Sequence, residues 1–104
     1  MNISVVGCGR WGSCIAWYCS AIKKHNVLVY GLKGAADYRQ LVETGRNEYI
    51  TMPSEVVLTD ELDRAMSYAD TVIVSIGAQH FRGFLREIKD SEYLAGKQFI
   101  LCMK

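Results

Sequence analysis

The chain has 104 residues, 50% hydrophobic and 22% charged, with a formal net charge of +1. That length supports one domain with a modest core, since two cores need roughly 150–200 residues, and the hydrophobic share excludes intrinsic disorder. The near-neutral balance argues against a nucleic-acid surface, no apolar run approaches the roughly 20 residues of a bilayer span, and the N-terminus lacks the features of a secretory signal.

Residues 3–6 (Ile-Ser-Val-Val) read as a buried β-branched strand ended by Gly7. Residues 12–24 read as a helix with Ile15, Cys19 and Ile22 on its apolar stripe and Lys23 and Lys24 in its last turn, where they suit the negative helix end. Residues 27–30 (Val-Leu-Val-Tyr) form a second buried strand, broken by the segment 31–34. A short helix is expected over 35–43, an irregular stretch containing Pro53 over 46–55, and a brief third strand over 56–58. Thr59 is placed to cap a helix running to Tyr68, with Asp60, Glu61 and Asp63 in a solvated first turn. Residues 71–76 (Thr-Val-Ile-Val-Ser-Ile) are the clearest central strand. A helix over 79–89 carries Phe81, Phe84, Leu85 and Ile88 at helical spacing, and 98–103 is a last strand.

Strand and helix thus alternate throughout. Apolar strands without clean polar alternation indicate a parallel sheet covered on both faces. Right-handed crossovers then lead to a doubly wound α/β domain of about five strands, with helices on both sides. The sequence stops directly after a core strand, so we expect residues 1–104 to be one domain of a longer protein.

Four cysteines are present, Cys8, Cys14, Cys19 and Cys102, with no C-x-x-C pair and two histidines, His25 and His80. That spacing does not suit zinc, so no metal is expected. Reduced thiols without an export signal fit a cytoplasmic protein. Cys8 reads as a small residue where bulk is excluded.

The segment from Gly7 to Gly12 (Gly-Cys-Gly-Arg-Trp-Gly) fits G-x-G-x-x-G and lies between a predicted strand and a predicted helix. In that context Gly7 permits the tight turn, Gly9 leaves room for a pyrophosphate, and Gly12 lets the helix pack close to the strand. The helix N-terminus offers N–H groups and a positive dipole to phosphates. This is the glycine loop of a Rossmann-type NAD(P) domain. NAD sites usually carry Asp or Glu at the end of the second strand, but here the sequence is Tyr30-Gly31-Leu32-Lys33. Lys33 is either a partner for a 2′-phosphate or a solvated surface lysine, so NAD and NADP both stay open, with a lean to NADP(H).

The opening Gly7-Cys8-Gly9-Arg10-Trp11-Gly12-Ser13 resembles the G-x-G-x-W-G-[ST] of the NAD(P)-dependent glycerol-3-phosphate dehydrogenase family. Further likenesses follow in order: Tyr30-Gly31, the stretch 46–53, Thr59-Asp60 through Ala69-Asp70, the stretch 84–89, and Cys102-Met103-Lys104. The resemblance covers the whole chain but corresponds to the cofactor-binding half of the family.

It implies hydride transfer between a nicotinamide and C2 of dihydroxyacetone phosphate or sn-glycerol 3-phosphate. By resemblance, Arg10, Trp11 and Tyr49 lie at the cofactor, and Lys33 lies beside the adenosine-phosphate site. Lys104 matches the family's lysine that reaches both the cofactor and the small phosphorylated substrate. The cofactor-binding candidates are therefore Gly7, Gly9, Arg10, Trp11, Gly12, Lys33, Tyr49, Gln79 and Lys104, with Lys104 also the substrate candidate. The family's main catalytic lysine lies in a second, helical domain that this sequence does not include, and no catalytic residue is assigned within residues 1–104. Full-length family members are homodimers through that domain, which is consistent with a monomeric fragment. Related reductases of the 6-phosphogluconate dehydrogenase-like superfamily and a non-catalytic redox-sensing module are the alternatives.

The chain departs from the family in three places. Gly77 stands where a proline is usual, Lys24 where a helix-ending glycine is common, and Leu32 where a basic residue follows the second strand. His80 reads as a positioning or solvent-facing residue, His25 as structural, and Trp17, Tyr18 and Tyr38 as packing residues.

Overall fold

The computed structural model describes residues 1–32 and 34–102. Among them, β1 (Asn2–Val6), β2 (Asn26–Tyr30), β3 (Val57–Thr59), β4 (Thr71–Val74) and β5 (Gln98–Leu101) form one sheet in the order β3-β2-β1-β4-β5. Every strand pair is parallel. The helices are α1 (Arg10–Trp17), α2 (Ala36–Thr44), α3 (Leu62–Tyr68) and α4 (Ala78–Ile88). This is the doubly wound Rossmann-type architecture expected from the strand–helix alternation.

The side-chain period of a strand divides the core into two layers. Ile3, Val5, Val27, Val29 and Ile73 pack on one face with Ala16 of α1 and Leu41 of α2. Val6, Leu28, Tyr30, Val72 and Val74 pack on the other with Ala65 and Met66 of α3 and Phe84 and Ile88 of α4. Adjacent residues of the same strand are buried on opposite faces, which explains the continuous apolar runs. Ser4 is polar yet fully buried in β1. Its hydroxyl donates to the Ala65 carbonyl at 2.7 Å, so the buried oxygen is satisfied.

Several expected boundaries shift, each for a local reason. The first helix begins at Arg10 and its α-helical part ends at Trp17; a π-helical turn, Tyr18–Ile22, follows. The wider turn rotates the expected stripe. Gly12, Ser13, Ala16 and Ser20 are buried, Ile15 and Cys19 are half-buried, and Ile22 is 52% exposed. Small residues therefore face the sheet and allow close approach. Tyr18 is exposed beneath Lys23, whose Nζ lies 6.0 Å from the ring centroid, rather than packed inside.

Lys23 and Lys24 follow the last turn instead of lying in it. Lys24 has φ 60°, the left-handed conformation that favours glycine, while the His25 N–H closes onto the Cys19 carbonyl at 2.9 Å. Holding a side chain there costs about 1 kcal/mol. Lys24→Gly is expected to stabilise the domain by about 0.5 kcal/mol after the entropy lost to a looser unfolded chain. A thermal melt would then shift upward by roughly 2–4 °C; a lower midpoint would refute this reading of the turn.

Thr59 does not cap α3. It ends β3, and its Oγ1 accepts from the Glu61 N–H at 3.1 Å, which tightens the turn into a helix whose N-cap is Glu61. β3 is displaced by one residue from the expected 56–58, and α2 likewise from 35–43. β4 ends at Val74 rather than at residue 76. Ser75 still donates to the Val6 carbonyl at 2.8 Å, and beyond it the chain leaves the ladder. β5 ends at Leu101; of the expected extension to 103, Met103 lies outside the described residues. Leu85 is exposed although it shares the helical spacing of buried Phe84 and Ile88.

Candidate functional site: the crevice at the ends of β1 and β4

β2 and β4 flank β1 on opposite sides, so the connections leaving the carboxyl ends of β1 and β4 diverge. A crevice opens at this switch point, the place where open α/β sheets bind ligands. It has two adjoining hollows of about 280 and 210 Å³ that share Leu32, Ile76 and His80. The larger is lined by Gly7, Cys8, Gly9, Ala35 and Asp37 on one side and Ser75 and Gly77 on the other. The smaller lies over Val6 and Tyr30, against Gln79, Gly83, Phe84 and Glu87 of α4.

The glycine loop is shaped by backbone contacts. Gly7 has φ 113°, and a Cβ on it would overlap the Ser75 carbonyl oxygen. A Cβ on Gly12 would overlap the Gly7 carbonyl oxygen and stand 2.7 Å from its carbonyl carbon. These two glycines answer to the fold. Gly9 is different: among the described residues a Cβ there would meet only Asp37 Oδ2, at 3.7 Å. No described residue excludes a side chain at Gly9, so its bareness serves the open side of the loop.

Gly9 is the N-cap of α1 and supplies no side-chain cap, and the first turn carries no acidic residue. The start of the helix thus turns the positive end of its dipole toward the crevice, with no carboxylate of its own first turn to offset it. Arg10 adds a cation, with its guanidinium carbon 5.7 Å from the Trp11 ring centroid and 5.2 Å from that of Tyr49. Trp11 is 49% and Tyr49 46% exposed, so these rings form a rim outside the core.

Tyr49 reaches that rim because its loop is tied to α1. Asn47 Nδ2 donates to Ser13 Oγ at 2.9 Å, while Asn47 Oδ1 accepts the N–H groups of Tyr49 and Ile50 at 2.9 and 3.0 Å. Ser13 Oγ in turn donates to the Gly9 carbonyl at 2.7 Å. The sequence analysis did not single out this Asn47–Ser13 connection. Two residues 34 apart give no local signal of pairing.

Gly7, Gly9, Arg10, Trp11, Gly12 and Tyr49 are therefore gathered at one end of the sheet, and Gln79 stands on the facing wall. Lys33 and Lys104, the other two candidates, lie outside the described residues. His80 lines both hollows, and its N–H donates to the Gly77 carbonyl at 2.9 Å.

Two groups in the crevice titrate away from their ordinary range. The Cys8 thiol is pushed up to about 12 by burial, by the negative charge of Asp37 and by a hydrogen bond to it. It stays protonated at neutral pH and is not a nucleophile. Tyr30 is shifted upward by burial and by the carboxylates of Glu87 and Asp60, so its hydroxyl stays neutral under the smaller hollow.

Asp37 is the second residue that the sequence analysis missed. The end of β2 carries no acid, whereas α2 brings Asp37 of its first turn beside Gly9. An acidic residue opening the second helix was the available signal.

Among curated proteins, a glycerol-3-phosphate dehydrogenase [NAD(P)+] of Thermoanaerobacter sp. (strain X514) is 26% identical over 104 residues, covering 97% of this chain and 30% of the relative. One from Bacillus cereus (strain G9842) is 29% identical over 92 residues, covering 86% and 27%. The crystal structure of glycerol-3-phosphate dehydrogenase from Coxiella burnetii superimposes with a TM-score of 0.85 at 17% identity, covering 99% of this chain and 32% of the other. That structural likeness establishes the fold, and the chain spans about a third of the length of the proteins it matches. A family model described as NAD-dependent glycerol-3-phosphate dehydrogenase N-terminus matches residues 2–104, and the chain belongs to that family.

Proposed function

We propose that this chain is the dinucleotide-binding domain of an oxidoreductase that interconverts sn-glycerol 3-phosphate and dihydroxyacetone phosphate with NAD(P)(H). The observation that carries the reading is the uncapped N-terminus of α1, set against Gly7 by Gly12 and opening into the crevice between β1 and β4. The fit is to a pyrophosphate: the positive end of a helix with no side-chain cap, a bare Gly9 and a nearby guanidinium.

In this reading the N–H groups of the first turn donate to the pyrophosphate, and Arg10 supplies positive charge. Trp11 and Tyr49 form the rim of the site around it. The adenosine half lies toward Leu32 and Tyr30. Ile76, Gly77, Gln79 and His80 make the nicotinamide-side wall, which is more flexible than a proline-containing one. The bound nicotinamide supplies the hydride. Lys104 would offset developing negative charge on the substrate oxygen, and Lys33 is the candidate partner of a 2′-phosphate. Reduced thiols suit a cytoplasmic setting, and among the described residues no helix is long and apolar enough to cross a membrane. The whole protein would act as a homodimer.

The test is a calorimetric titration of the chain with NADH and NADPH, with turnover assayed in parallel. Binding of at least one dinucleotide is expected, without dihydroxyacetone phosphate-dependent oxidation, because the 104-residue chain spans under a third of the length of its relatives. Absence of binding to both would remove the reading, and turnover by this chain alone would refute the division of labour.

A further inference from the structure

On the dinucleotide-binding reading, we infer that Asp37 reads the adenosine ribose, accepting hydrogen bonds from its 2′- and 3′-hydroxyls, and so selects NAD(H) over NADP(H).

Three observations carry this. Asp37 lines the larger hollow together with Gly7, Cys8 and Gly9, on the wall that leads from the glycine loop toward β2. Its carboxylate is held in place: Oδ1 accepts the Tyr38 N–H at 2.8 Å, while Oδ2 stands 3.7 Å from where a Gly9 Cβ would be. The residues ending β2, Tyr30 and Gly31, bring no acid of their own, so Asp37 supplies from the start of α2 what the strand end lacks.

The chemistry follows from the group. An ionised carboxylate is acceptor-only, and two ribose hydroxyls are two donors within its capacity. A 2′-phosphate offers no donor and adds like charge beside it. Among the described residues lining this part of the hollow, Leu32 and Ala35 are apolar and bring no compensating cation. A carboxylate covered by a ligand also needs partners for its oxygens, because desolvating it unpaired is costly. The Cys8 thiol is one weak donor, and the ribose hydroxyls are stronger ones.

The experiment titrates NADH and NADPH into the unaltered chain, Asp37→Asn and Lys33→Ala, with a thermal melt of each to establish folding. Asn keeps the size and can still accept the Tyr38 N–H. The unaltered chain should bind NADH at least about tenfold more tightly than NADPH, the scale of a hydrogen bond to a charged group. Asp37→Asn should weaken NADH by about tenfold and tighten NADPH. NADPH binding as tight as NADH in the unaltered chain, or an unchanged ratio in folded Asp37→Asn, overturns the inference and leaves the dinucleotide reading standing. A preference for NADPH that disappears in Lys33→Ala moves the discrimination to Lys33 and also overturns it. Binding of neither dinucleotide removes the reading and the inference together.

Discussion

Gly9→Val is expected to abolish dinucleotide binding while leaving the domain folded. The two halves of that expectation have separate physical sources. The fold tolerates the change because, among the described residues, a Cβ at Gly9 meets only Asp37 Oδ2, at 3.7 Å, and because Gly9 already has the extended backbone (φ −74°, ψ −157°) that a β-branched residue accepts. Binding does not tolerate it, because the valine methyls would occupy the space over the first N–H groups of α1, where the pyrophosphate must come into contact. Losing that contact should weaken binding by roughly a hundredfold or more, or about 3 kcal/mol. Calorimetry with NADH, alongside a melt that matches the unaltered chain, checks both halves. A folded variant with unchanged affinity would falsify the assignment of the loop.

Gly12→Ala is expected to do the reverse and damage the fold itself. Its new Cβ would overlap the Gly7 carbonyl oxygen, and that oxygen belongs to a backbone with little room to retreat. The Gly7 N–H is fixed to the Tyr30 carbonyl at 2.8 Å, and on its far side the Ser75 carbonyl already limits what Gly7 can carry. Overpacking of this kind costs about 3 kcal/mol. Alanine returns about 1 kcal/mol through its helix propensity, leaving a net loss of about 2 kcal/mol, a large share of the 5–15 kcal/mol typical of a domain. The melting midpoint should fall by roughly 10 °C. A midpoint equal to that of the unaltered chain would show that α1 can slide away from β1, and that close packing at Gly12 is not what holds the loop.

Together these substitutions separate two demands that one motif conceals. Gly7 and Gly12 serve the turn and the helix–strand contact, and Gly9 serves the open face. The spacing of the three glycines is legible in the sequence, but which one the protein itself could replace is decided by the Ser75 and Gly7 carbonyls.

The strands were legible because apolar, β-branched runs bounded by glycine or polar residues have few other uses in a chain this short. Their boundaries were less so. β4 stops at Val74 because the segment from Ser75 to Gly77 turns away to form the crevice wall, although Ile76 continues the apolar run. The stripe of the first helix failed at Ile22 for a related reason. The period of 3.6 does not hold across a π-helical turn, and the wider turn leaves Ile22 in solvent and Ser20 inside. Lys24 ends that turn in the left-handed conformation, at φ 60°, which favours glycine.

The sequence by itself determined the alternation of elements, the parallel two-layered sheet and the position of the glycine loop, since each depends on local spacing and on the residues beside it. The tertiary structure alone decided which distant side chains share the crevice. It set Asn47 against Ser13, Tyr49 beside Arg10, and Asp37 facing Gly9. Those pairings depend on where the start of α2 and the segment after it pack at the end of the sheet, and such placement follows from packing against the whole domain, which no short stretch of sequence records.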